Sequence, residues 1–321
     1  MMGAFLVMLK HIAIYVALTL PGYLLVKTHV LKTERTGVLS KLLLYVATPS
    51  LIVSSFVKFL PFDVEHIPLI TTSVAVGIIF TLLTYFLSRP LALFESGNKR
   101  GMLRFCMCFG SLLSIPLAVA MFGESMITAV VVIVSSIMSS LMFPLGIALI
   151  KDDIKMINVK HFFVNPAFIG IAIGVLLNLI HIQNFFPELI IYPTVLSGLV
   201  TPVSMLTLGM KLGGIKISSL VKSPRVYYVS SIRIILFPTI LCALLILLSF
   251  IPTLNPILNN DFIIGSFIAF VMPTAGFSST FAAQYKGDIR SSNSYPIATA
   301  YMSLITLPFL YMLLTLVLGA L

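Results

Sequence analysis

Apolar runs of about twenty residues follow one another along almost the whole chain, and nothing between them is long enough to build a water-soluble domain. At about 1.5 Å per residue, a helical run of that length crosses a hydrocarbon core of about 30 Å. A bilayer core offers the backbone no water, so such runs are expected to be helices that satisfy their own hydrogen bonds. Composition agrees: 59% of residues are hydrophobic and 9% charged, with a mean hydropathy of +1.11, against about 25% charged in soluble domains. The expected class is an all-α integral membrane protein. The first run has no cation ahead of Lys10 and no small-residue cleavage pattern after it, so it reads as a retained helix. Cys106, Cys108 and Cys242 lie inside apolar runs, where they read as small core residues without a metal cluster.

Ten spans are expected, at 5–27, 38–60, 67–88, 102–122, 126–150, 163–182, 190–210, 226–251, 262–285 and 294–318. The longest connection, "KDDIKMINVKHF" at 151–162, divides the chain into a first unit at 1–150 and a second at 163–321. All but Lys10 and Lys58 of the 20 Lys and Arg residues fall in or near alternate connections, which the positive-inside rule assigns to the cytoplasm. Both termini are therefore expected outside, in a multi-pass protein of the cell membrane. The net charge of +10 reports this topology and not nucleic-acid binding. An odd span number in each unit makes the halves inverted with respect to each other if they are related, a 5+5 inverted repeat. "FGSLLSIPLAVAMFGE" at 109–124 aligns without gaps to "PTAGFSSTFAAQYKGD" at 273–288, and Pro49 in span 2 corresponds to Pro202 in span 7.

Spans 4 and 9 are the chemically unusual ones. Pro116 and Pro273 each remove a backbone donor at membrane depth, among clustered hydroxyls and glycines. Broken helices of this kind expose backbone groups and helix termini that can bind an ion or a substrate. The candidate substrate-binding residues are therefore Gly110, Ser111, Ser114 and Pro116 in span 4, with Pro273, Thr274, Ser278, Ser279 and Thr280 in span 9. Ser50 and Ser204, beside Pro49 and Pro202, are candidates for the facing wall. Pro21, Pro144, Pro238 and Pro308 read as simple kinks. Gly170 and Gly174, and likewise Gly209 and Gly213, have the four-residue spacing of close helix packing. Arg104 and Arg233, a turn or two inside the cytoplasmic face, read as side chains reaching out to the interface, with attraction of a substrate anion as the alternative.

Several of these stretches together resemble the auxin efflux carrier family, which includes the plant PIN auxin exporters and bacterial malate or malonate permeases. They are "LSKLLLYVATPSLIVSSF", "SIPLAVAMFGE", "NPAFIGIAIGVLL", "TPVSMLTLGMKL", "MPTAGFSSTFAAQYKGD" and "SLITLPFLYML", in that order from about residue 20 to 315. The resemblance implies a bile acid/sodium symporter-like fold. Spans 1, 2, 6 and 7 would form a scaffold, with a transport core of spans 3–5 and 8–10 whose broken helices 4 and 9 cross. It also implies alternating access of the elevator type for organic anions such as a dicarboxylate or an auxin-like carboxylate. One departure stands out: Phe109 sits seven residues before Pro116, where family members commonly carry asparagine. A polar ligand is then missing there or supplied from elsewhere.

No carboxylate falls near the centre of a span, so proton coupling through a buried acid is not expected. A sodium ion would have to rest on freed carbonyls and hydroxyls of spans 4 and 9. No cofactor is expected, and the choice among uniport, sodium coupling and proton coupling stays open. The alternatives are a sodium-coupled bile-acid-type symporter or channel, and a non-transporting membrane sensor. An intramembrane enzyme is not expected, because no nucleophile-and-base pair or metal cluster forms. A homodimer through the scaffold is left open.

Overall fold

The computed structural model describes residues 2–60 and 64–320, with the backbone alone for residues 2–5 and 219. Among them it is all helical. Seven helices are long and apolar enough to cross a membrane: α1 (Leu6–Lys27), α2 (Thr33–Phe59), α3 (Val64–Leu91), α6 (Met126–Lys151), α8 (Glu188–Gly213), α9 (Pro224–Ser249) and α12 (Ile289–Ala320). The stretches expected as spans 4, 6 and 9 are not among the seven. Span 6 is α7 (Pro166–Leu179), whose 14 residues reach about 21 Å. Span 4 is two helices, α4 (Gly97–Cys108) and α5 (Ser114–Phe122), and span 9 is likewise α10 (Asn260–Phe270) and α11 (Ser278–Tyr285).

Helix α6 carries no charged residue before Lys151 and is buried along nearly its whole length, as a helix without a charged face is expected to be. It packs against α3, α4, α5 and α10, so the interrupted helices are gathered around it. Its C-terminus closes on Asp152 in a left-handed conformation (φ 51°). Asp152 pairs with Arg100 and, at 3.4 Å, with Arg104. Arg104 is 5% exposed and also donates to Ser88 Oγ and the Tyr85 carbonyl. It is a buried tie between α3, α4 and the end of α6, and not the interfacial side chain expected.

The glycine pairs serve packing within the chain. A Cβ on Gly209 would overlap the Thr19 carbonyl, and one on Gly22 would overlap the Leu206 carbonyl, so α1 and α8 touch backbone to backbone. Gly170 and Gly174 do the same for α7 on α2, against Pro49 (3.0 Å) and Phe56 (2.7 Å). Helix association in lipid rests on such close approach, because apolar burial gives little preference for protein over lipid.

Candidate functional site

The breaks lie a few residues earlier than the prolines suggest. Helix α4 ends at Cys108 and α5 begins at Ser114, which places Pro116 in the first turn of α5, where its missing N–H costs nothing. Pro273 lies inside the second break, between α10 and α11. The two breaks meet. Gly110 and Thr274 form an antiparallel bridge, in which Ser111 N–H donates to the Pro273 carbonyl (2.8 Å) and Ala275 N–H to the Phe109 carbonyl (3.3 Å). Backbone groups that would be orphaned at membrane depth thus satisfy one another across the crossing.

The side chains at the crossing divide into two groups. Thr274 donates its hydroxyl to the Cys106 carbonyl and its N–H to Thr299 Oγ1. Ser114 bonds Ser135 Oγ on α6, and Ser278 donates to the Ser292 carbonyl at the start of α12. Ser111 Oγ accepts locally from Leu113 N–H. The Thr274 hydroxyl thus ties the two interrupted segments together, those of Ser114 and Ser278 anchor α5 and α11 to α6 and α12, and that of Ser111 stays within its own break. Ser279 and Thr280, in the first turn of α11, instead line a cleft of 910 Å³ between α11, the beginning of α12 and the first turns of α2. Across it stand Glu34, Lys41 and Tyr45, with Gln284 and Asn293 on the near side. Thr280 Oγ1 and Asn293 Oδ1 are buried without a partner, and each such atom costs about 1–3 kcal/mol until one is supplied. Ser50 returns its hydroxyl to the Val46 carbonyl of its own helix, and Ser204 is half-buried on α8.

Two cations that the basic-loop pattern had absorbed are fully buried. Arg233 is 0% exposed and spans both breaks: Nη1 donates to the carbonyls of Cys108 (3.0 Å) and Met107 (3.4 Å), and Nε to that of Met272 (3.1 Å). It neither extends to the interface nor pairs with a described carboxylate. It lies in a π-helical turn at Ile232–Leu236, a local bulge of the kind frequent at functional sites. A second such turn, Leu43–Ala47, carries Tyr45 of the cleft wall. Lys211, also 0% exposed, comes from the last turn of α8 and donates to the Gly276 carbonyl, two residues ahead of α11. Arg100, Arg104 and Arg225, by contrast, are held in ion pairs with Asp152 or Glu95.

The two sites differ electrostatically. Arg233 sits at the C-terminal ends of α4 and α10, each carrying about half a negative charge, which suits a cation. Lys211 sits by the N-terminal end of α11, where the partial charge is positive. Its ammonium therefore adds to the local potential that favours an anion. Buried hydroxyls of Ser40 on α2 and Thr207, one turn before Lys211, are also without partners, and the first turns of α2 pack against both α8 and α11.

Phe109 fills the position of the expected asparagine. Its ring packs on Phe105 (5.2 Å), which in turn meets Phe281 (5.3 Å). The polar group at this level comes from Arg233, whose Nη2 would collide with any Cβ on Gly110. Another cavity, bounded by Glu95, Lys99, Arg225 and Asp288, is richer in charge, but there Arg225 pairs with Glu95 at 2.6 Å and Asp288 caps Ser291 N–H at 3.0 Å. The family model described as "Membrane transport protein" matches residues 6–160, from α1 through α6. No curated protein gives a significant match.

Proposed function

We propose that the chain is a multi-pass membrane transporter of the auxin efflux carrier type, which the family model over residues 6–160 supports, and that it carries a small organic anion through the cleft between α2 and α11. The observation that carries the anion reading is Lys211. A fully buried ammonium with one carbonyl acceptor, beside a helix N-terminus and without a described carboxylate in contact, is an uncompensated charge. Desolvating it costs several kcal/mol, and a substrate carboxylate arriving by way of Ser279 and Thr280 offsets that cost.

The ten-span inverted repeat is the architecture that best accounts for the packing. Exchanging span 1 with 6 and span 7 with 2 carries the α1–α8 contact onto the α7–α2 contact, and both are made by glycines. The same exchange carries one break onto the other, and the two breaks pair. In this reading the units are 1–150 and 163–321, with both termini outside. Spans 1, 2, 6 and 7 form the scaffold, and the remaining spans move as a core that carries the crossing between the two faces. The cleft then lies between scaffold (α2) and core (α11, α12), where alternating access opens and closes a path.

Ligand-induced stabilisation of the purified protein tests this. A panel of monocarboxylates and dicarboxylates is expected to contain compounds that raise its unfolding temperature saturably. Thr280→Val and Ser279→Ala should weaken that effect about tenfold together, the scale of one or two hydrogen bonds. Ser114→Ala should leave the ligand affinity in place and lower only the starting stability. Equal loss of ligand affinity in Ser114→Ala and Thr280→Val would remove the cleft from the binding site.

A further inference from the structure

We propose that Arg233 is a built-in cation: its guanidinium occupies the place at the crossing where the freed carbonyls of two interrupted helices would otherwise ligate a free monovalent cation. Unwound carbonyls and the C-terminal ends of half-helices are the usual ligands for a coupling sodium ion in transporters with broken helices. This chain has those groups. Met107 and Cys108 present carbonyls at the end of α4, and Met272 presents one just after α10; all three accept from Arg233. The neighbouring oxygens are also engaged. The Cys106 carbonyl takes the Thr274 hydroxyl, the Phe109 and Pro273 carbonyls take the bridge N–H groups, and the Gly276 carbonyl takes Lys211. A sodium ion would have to displace a covalently attached positive charge from its own ligand set.

Shape and charge support the same assignment. The planar guanidinium fork reaches carbonyls on both breaks at once. It meets the negative ends of two helix dipoles, which compensate it without a carboxylate. Gly110 leaves the room: its missing Cβ is where Nη2 passes, and Nη2 is buried without an acceptor. Arg233 therefore acts as a positioning residue for the crossing and sets the coupling, because a cation covalently attached to α9 travels with the crossing and cannot be taken up or released on either side. The inference stands apart from the identity of the substrate, since stability alone reads it.

The test is chemical rescue. Unfolding of the purified wild-type protein is measured in sodium, potassium and choline salts, and no saturable sodium effect is expected. Arg233→Ala should lose thermal stability, and low millimolar guanidinium should restore it where urea, the neutral analogue, does not. Should Arg233→Ala yield no folded protein, Arg233→Lys keeps the charge and should fold with reduced stability, still insensitive to sodium. Saturable stabilisation of the wild type by sodium overturns the proposal. So does failure of guanidinium to rescue a folded Arg233→Ala, or a Lys variant as unstable as the Ala variant.

Discussion

Replacing Lys211 by methionine should weaken binding of the transported anion by roughly thirtyfold to several-thousandfold while leaving the protein as stable as before, or more so. The two effects have opposite signs for one reason. Lys211 is wholly buried with the Gly276 carbonyl as its acceptor, so the folded protein without substrate bears a desolvation cost. Replacing a buried ion by an apolar side chain of similar volume is often neutral or stabilising, by about 1–4 kcal/mol. Removing one partner of a desolvated charge pair costs about 2–5 kcal/mol of binding, at about 1.4 kcal/mol per tenfold. Ligand-dependent and ligand-free unfolding temperatures of Lys211→Met separate these contributions. A variant that is strongly destabilised yet binds anions normally would make Lys211 a structural strut between α8 and the second break. Lys211→Arg, which keeps the charge, should retain a substantial part of the affinity.

Gly209→Val should have the largest effect on folding of any single change considered. Helices α1 and α8 approach so closely that a Cβ at Gly209 overlaps the Thr19 carbonyl, and the reciprocal position, Gly22, meets the Leu206 carbonyl. Neither obstacle is a flexible side-chain end, so the helices must part along their shared length. Overpacking costs about 1–3 kcal/mol where neighbours can adjust, and rigid backbone on both sides puts this site at or above the upper end. The separation would also pull Thr19 Oγ1 from Tyr301 on α12, now at 2.9 Å. The yield of monodisperse detergent-solubilised protein should fall severalfold and its unfolding temperature with it. Gly37→Ala, where nothing stands within 4 Å, is the control expected to change little. Similar behaviour of the two variants would mean that the α1–α8 contact does not limit stability.

The long helices were legible in the sequence, because an apolar run has a length and that length is what a bilayer selects. The expected 126–150 and 226–251 correspond to Met126–Lys151 and Pro224–Ser249. That spans 4 and 9 are interrupted was also legible, from prolines among hydroxyls and glycines. Where the interruptions fall was not. A proline fits the first turn of a new helix, so Pro116 follows its break and Pro273 lies within its own. Nor could composition tell which hydroxyls face a cleft. Ser278 and Ser279 are neighbours, yet one helical step of about 100° turns the first to the Ser292 carbonyl and the second to the cleft. Lys211 and Arg233 were absorbed into the count of cytoplasmic basic residues. For Arg233 the flank "SSIRIILF" held the signal, because a cation followed within the same apolar stretch by more helix is a functional candidate by default, whereas Lys211, two residues before the end of α8, carried no such mark. The Phe109 departure makes sense beside Arg233, which supplies from α9 the polar group that the first break itself lacks.

The most direct test of the central claim is uptake into proteoliposomes of three matched solutes: a labelled small carboxylate that stabilises the purified protein, its neutral amide and its cationic amine analogue. The account predicts saturable uptake of the carboxylate alone, undiminished when choline replaces sodium and largely lost in Lys211→Met. Uptake of the amide or the amine at rates matching the carboxylate, or carboxylate uptake that persists in Lys211→Met, would contradict it.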